Sequence, residues 1–145
     1  MREALAESHA ALPLCAPNPP VGCVIVCGDQ IVARGFTGRP GHPHAEAAAL
    51  ARLPVALDPH QLDLYVTLEP CSFAGRTPSC ALAIVASGIR RVHVATLDPH
   101  PRNCGRGIQV LRNAGIRVEL GVLEPTVLAF IQPYLWSEVM QQPAP

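Results

Sequence analysis

Leu64-Tyr-Val-Thr-Leu68, Cys80-Ala-Leu-Ala-Ile-Val-Ala-Ser-Gly88 and Val92-His-Val-Ala-Thr96, read in order, spell a strand, a helix and a second strand. The first and third are short runs of β-branched and apolar residues. The second is rich in Ala, and Gly88 supplies its C-terminal stop. The alternation then continues. Gly107 to Ala114 reads as a helix stopped by Gly115, and Ile116 to Leu120 as another strand. Strands alternating with helices imply parallel neighbours joined by right-handed crossovers. A last helix is expected over Thr126 to Val139.

Upstream the pattern differs. Val21-Gly-Cys-Val-Ile-Val-Cys27 and Ile31 to Thr37 flank Gly28-Asp29-Gln30, the signal of an antiparallel hairpin. Arg2 to Leu12 reads as an amphipathic helix that stops before the Pro-rich loop Pro13 to Pro20. After the loop Arg39-Pro-Gly-His-Pro43, an Ala-rich helix runs from His44 to Leu53. Pro54 to Asp63 is a connection, and Glu69 to Ser79 an irregular loop. The sum is a three-layer α/β domain whose sheet starts with an antiparallel hairpin and continues with parallel strands.

The 145 residues suffice for one domain with a real core and are too few for two. An apolar fraction of 49% against 15% charged residues belongs to a globular chain, not a disordered one. The longest apolar stretch, Val21 to Gly28, falls far below the roughly 20 residues that cross a bilayer. The N-terminus carries Arg2, Glu3 and Glu7 and lacks the apolar core of a signal peptide. A cytoplasmic location without a membrane partner is therefore expected. The formal net charge is zero, so no whole-molecule field draws the chain to nucleic acid. Seven arginines and a single acid, Asp98, do lie between Arg76 and Arg117. They read as solvated helix and strand surface, with an anion-facing wall as the alternative.

Six cysteines are present, with nothing to indicate export and a disulfide framework. Cys23 and Cys27 share one face of a strand and read as small core residues. Cys15 and Cys104 have no ligand-like neighbours. Cys71 and Cys80 remain. Cys71 follows the strand Tyr65-Val-Thr-Leu68 through Glu69-Pro70, and Cys80 opens the next helix. His44-Ala45-Glu46 opens another. In a parallel α/β sheet, strand C-termini and helix N-termini converge on one edge, so these residues can meet. One imidazole and two thiolates suit zinc and leave a fourth tetrahedral position open, the pattern of a catalytic site. About one zinc per chain is expected. Glu46, two residues from a ligand, is placed to move protons. Taken singly, His44 reads as a cap and Glu46 as a favourable first-turn acid. The joint pattern carries the reading.

These residues resemble the cytidine-deaminase superfamily, whose signature is H-x-E followed by P-C-x-x-C. Here eight residues separate the cysteines, in Pro70-Cys-Ser-Phe-Ala-Gly-Arg-Thr-Pro-Ser-Cys80. That spacing resembles the pyrimidine deaminases of riboflavin biosynthesis, the N-terminal half of a bifunctional deaminase-reductase. The resemblance continues through Pro17-Asn-Pro-Pro-Val-Gly22, Gly88-Ile-Arg-Arg-Val92, Asp98-Pro-His-Pro101, Gly105-Arg-Gly-Ile108, Ala114-Gly-Ile116 and Gly121-Val-Leu-Glu124.

The resemblance implies a mixed five-stranded sheet flanked by helices, in a homodimer or homotetramer. It implies a reaction that replaces the 2-amino group of a diamino-ribosylaminopyrimidinone 5'-phosphate by oxygen and releases ammonia. His44, Cys71 and Cys80 match the zinc ligands, Glu46 the proton shuttle, and Asn18 and Arg76 substrate-facing positions. His100 stands in the Asp-Pro-His-Pro loop where the family carries Asn, and is a further candidate for substrate contact. Phe73 and Thr37 stand where the family carries histidines that grip the phosphate. The expected organisation is one deaminase domain over residues 1–145 without a reductase domain, served by a separate reductase. Two alternatives stay open: a deaminase of a dephosphorylated or different amino-heterocycle, and a non-catalytic zinc-stabilised subunit.

Overall fold

The structure, a computed structural model, describes residues 1–137. Its sheet has five strands, β1 (Gly22–Cys27), β2 (Gln30–Phe36), β3 (Leu62–Leu68), β4 (Arg91–Thr96) and β5 (Arg117–Leu120), in the order β2-β1-β3-β4-β5. β1 runs antiparallel to both β2 and β3, whereas β3, β4 and β5 are mutually parallel. The hairpin closes through Gly28-Asp29, because Cys27 pairs with Gln30. Gly28 takes the φ of +61° that such a tight loop requires.

Alternation along the strands separates two layers of helix. Cys23 and Ile25, Leu64 and Val66, and Val92 and Val94 are buried against α2 (Ala45–Ala51), α3 (Cys80–Ser87) and α4 (Arg106–Asn113). Ala49, Ile84 and Leu111 are the helical counterparts and are likewise inaccessible. The opposite face carries α1 (Arg2–Ala11) and α5 (Glu124–Ile131), with Val127 and Ile131 packed beside Ala95 and Leu68. The Ser8 hydroxyl lies 3.1 Å from that of Thr67. A Cβ on Gly22 would sit 1.9 Å from the carbonyl oxygen of Ala4, so only glycine allows this close packing of helix on strand.

The three-layer mixed sheet is the one expected, and Cys23 is core while Cys27 packs at its margin. Most element ends fall within one or two residues of the sequence reading, α2 for example ending at Ala51 in place of Leu53, and two differences bear on the site. β3 begins at Leu62, two residues earlier, after a 3-10 turn over Pro59–Gln61. The last helix is shorter: α5 ends at Ile131 and passes into a 3-10 turn over Gln132–Tyr134. Pro133 lacks an N–H and its ring would clash with the carbonyl one turn back, so the α-helix cannot run on. Residues 138 and 139 of the expected helix lie outside the described residues. Among the described residues no helix is long and apolar enough to cross a membrane.

Candidate metal centre and active site

β2 and β3 point the same way, each antiparallel to β1 between them, and the segments that follow them deliver their chemistry to one edge. His44 is the N-cap of α2, and Glu46 lies in that helix's first turn. Cys71 follows the end of β3, and Cys80 is the first residue of α3. Ser79 caps α3 by accepting the Leu82 N–H at 3.3 Å, and its hydroxyl donates to the Cys71 carbonyl at 2.8 Å. The Ala81 N–H reaches the same carbonyl at 3.1 Å. Helix start and cysteine loop are thus one hydrogen-bonded unit.

Nδ1 of His44 lies 3.5 Å from Cys80 Sγ and 3.8 Å from Cys71 Sγ. The three ligand-type atoms all fall within 4.8 Å of one another. On the far side of the ring, Nε2 lies 3.2 Å from the Thr77 hydroxyl. With a metal on Nδ1, Nε2 would carry the proton and donate it to Thr77, which would fix tautomer and ring orientation. The Cys80 N–H also points at Cys71 Sγ, at 3.2 Å.

The two thiols are pushed in opposite directions. A hydrogen bond from the Cys80 thiol, with help from His44 and the Cys80 N–H, pulls Cys71 down to about 4. The same sulfur–sulfur bond, followed by burial, pushes Cys80 far up. A divalent cation held by His44, Cys71 and Cys80 would keep both sulfurs as thiolates. The donor set, one imidazole nitrogen and two thiolates gathered on one side of a cavity, fits zinc with a coordination position left open. Glu46 is buried to 4% exposure, and burial raises its carboxyl to about 7. The nearby Cys71 thiolate adds to this, against the pull of its backbone N–H bonds and of His44. Such a carboxyl exchanges protons near neutral pH.

The cavity in front of this cluster has a volume of about 460 Å³, within the range of small-molecule sites. His44, Glu46 and Cys71 form part of its wall, and Asn18, Arg76 and His100 also line it. Every residue singled out from sequence therefore reaches one place, except Cys80, which is buried behind. Sequence reasoning missed Thr77, and it missed Tyr134 and Trp136, which complete an aromatic wall with Phe73 and His100. Phe73 lies 5.9 Å from the His100 ring, which lies 5.9 Å from Trp136, and Tyr134 lines the same cavity. The Arg102 N–H donates to His100 Nδ1 at 3.1 Å, so the proton of that ring sits on Nε2. No periodicity flags such residues; only the Arg-Thr-Pro segment between the cysteines pointed towards Thr77.

Fold and site together define a zinc-dependent deaminase domain. The profile described as "Cytidine and deoxycytidylate deaminase zinc-binding region" matches residues 1–96, and the chain belongs to that family. It is 52% identical over 108 residues to the riboflavin biosynthesis protein RibD of Aquifex aeolicus, covering 74% of this chain and 30% of that protein. It is 40% identical over 145 residues to RibD of Chlamydia pneumoniae, covering 99% of this chain and 38% of that protein. Among solved structures, it resembles the diaminohydroxyphosphoribosylaminopyrimidine deaminase/5-amino-6-(5-phosphoribosylamino)uracil reductase of Thermotoga maritima. That match has a TM-score of 0.85 and 40% identity, and covers 92% of this chain and 38% of the other. The chain thus spans between 30% and 38% of these relatives' lengths.

Proposed function

We propose that this domain hydrolyses the exocyclic amino group of a pyrimidine-type substrate, most plainly a diaminohydroxyphosphoribosylaminopyrimidine, the substrate named for the Thermotoga relative. The observation that carries the reading is a buried carboxyl, Glu46, beside a three-donor cluster that opens on a cavity. His44, Cys71 and Cys80 are the proposed zinc ligands. Zinc, when bound, acts as a Lewis acid that lowers the pKa of water to near neutrality. Glu46 removes one proton from the attacking water and passes it to a ring nitrogen. It then carries the hydroxyl proton of the addition product to the amino group, which leaves as ammonia while the C=O forms. Asn18 orients the heterocycle, and the Phe73–His100–Trp136 wall excludes water from it. A purely structural zinc subunit has no use for Glu46.

Arg76 and the Nε2–H of His100 are the proposed contacts for the ribose-phosphate end. Two observations favour a weak dependence on that phosphate. Thr37 is buried, and its hydroxyl already accepts the Val21 N–H at 3.0 Å. The Phe73 ring has no donor to offer and packs on His100 and under Arg102, whose guanidinium carbon lies 4.3 Å from the ring centre. Each absent charge-assisted donor is worth about 1.5–3 kcal/mol, or roughly one to two powers of ten in affinity. Ammonia release should therefore be seen with both the diaminopyrimidine riboside and its 5'-phosphate. A preference for the phosphate of about a hundredfold or more, abolished by Arg76→Ala, contradicts the weak dependence. Release from neither compound contradicts the substrate class. A symmetric homodimer or homotetramer, a cytoplasmic location and a reductase acting on the product complete the proposal.

A further inference from the structure

Cys71 is a loop residue, and a loop by itself holds a ligand poorly. Ser79 and Ala81 at the start of the next helix hold its own carbonyl, and the peptide groups on either side of it are gripped by one side chain from another part of the chain. Asn103 is fully buried, at 0% exposure, in the segment between β4 and α4. Its Nδ2 donates to the Pro70 carbonyl at 3.3 Å, and its Oδ1 accepts the Ser72 N–H at 3.0 Å. The two bonds grip the peptide groups immediately before and after Cys71. The second N–H of Nδ2 reaches Asp98 Oδ2 at 3.3 Å, and the Asn103 N–H bonds the His100 carbonyl at 2.9 Å. The amide is therefore held in its orientation by the loop that carries it.

That loop is anchored in turn by Glu69, which is 3% exposed. One carboxylate oxygen accepts the N–H groups of Asp98 (3.2 Å) and Gly105 (3.0 Å), the two ends of the loop. The other accepts the Ile108 N–H in the first turn of α4, at 3.1 Å. α4 has no side-chain cap of its own, so Glu69 supplies one from the neighbouring strand end. The packing leaves no slack: a Cβ on Gly107 would lie 1.9 Å from the Pro70 oxygen.

We infer that Asn103 is a positioning residue for the metal centre, clamping the Cys71 backbone on both sides from a loop that Glu69 anchors. The inference rests on Cys71 being a zinc ligand. Partners that orient ligands commonly change metal affinity by about 10- to 100-fold when removed. Asn103→Leu keeps a similar volume and removes both bonds. Asn103→Asp keeps the acceptor for Ser72 and loses the donor to Pro70.

The test is the rate of zinc release to a chelator from the purified, zinc-loaded chain. Melting temperature is followed alongside, with Val127→Ala in the distant second core as a control for general destabilisation. Asn103→Leu should release zinc about tenfold faster or more, with Asn103→Asp in between, and faster than Val127→Ala at an equal loss of melting temperature. Release at the wild-type rate, or release that merely tracks melting temperature in all variants, overturns the inference. Should Asn103→Leu fail to fold, Asn103→Asp against Val127→Ala decides by the same comparison. Cys71→Ala separates the two levels. If it retains zinc, the ligand assignment fails; if it loses zinc while both Asn103 variants release normally, only the clamp fails.

Discussion

The two ends of the parallel strands treat the same kinds of side chain in opposite ways. At the C-terminal end, His44 turns one ring nitrogen to two sulfurs, and Glu46 is buried with no cation bonded to it. Towards the N-terminal end, His93 sets Nε2 2.8 Å from Asp63 and Nδ1 2.7 Å from Glu119, and stacks on Tyr65 at 4.3 Å. Arg91 meets Asp63 through two bonds of 2.9 Å. There every carboxylate has a partner, and Asp63 is held below its ordinary 3.8, first by Arg91 and then by His93. At the catalytic end the carboxyl of Glu46 is pushed the other way, to about 7, by burial. A matched network settles the fold, whereas a buried carboxyl left without a charge partner beside clustered ligand-type atoms marks a candidate site.

The largest effect that can break this contrast is loss of the metal. Cys71→Ala or Cys80→Ala should reduce zinc from about one per chain to near zero and abolish ammonia release, as read by metal analysis and assay. Full zinc occupancy in both variants would mean that the unmet charge serves something else. Next comes Glu46→Gln, nearly the same in shape. Zinc content and melting temperature should stay close to wild type while turnover falls by about two orders of magnitude or more. Near-normal turnover would reduce Glu46 to a first-turn acid.

The smallest effect belongs to the opposite end. Asp63 and Arg91 are both only partly buried, with side chains 24% and 40% exposed, so solvent screens the pair and its contribution is modest. Because folding lowers the Asp63 pKa, its stabilisation is present above the ordinary value of 3.8 and lost as pH falls through the folded value. The melting-temperature gap between wild type and Asp63→Asn should therefore be small at pH 7 and shrink below about pH 3.8, with the two proteins holding the same zinc content at pH 7. A gap that persists at low pH, or zinc lost with Asp63→Asn, would show that the two ends are not independent.

Much of the catalytic end was legible before any coordinates. His44, Glu46, Cys71 and Cys80 stand at element boundaries, and a parallel sheet must bring such boundaries to one edge. The hairpin, the alternation of strands and helices and the glycine stops are likewise local signals, written within a few residues of one another. The overlong last helix shows the limit. Apolar periodicity persists through Phe130 and Leu135, but Pro133 ends the α-helix, and the chain turns so that Tyr134 and Trp136 meet the cavity.

What only the tertiary structure decided are contacts between a side chain and distant groups, which leave no period in the sequence. Thr77 finds a ring nitrogen 33 residues away, Asn103 brackets a cysteine from a loop 31 residues beyond Ser72, and Glu69 caps a helix 39 residues downstream. Phe73 reads from sequence as a lost donor, and the folded chain makes it the floor for Arg102 and part of the wall with His100. Residue type and local spacing determine which chemistry is available. Which of those groups is oriented, shielded or left unmatched depends on which backbone N–H, carbonyl or ring the fold happens to bring within about 3 Å of it, and that is set only when the layers pack.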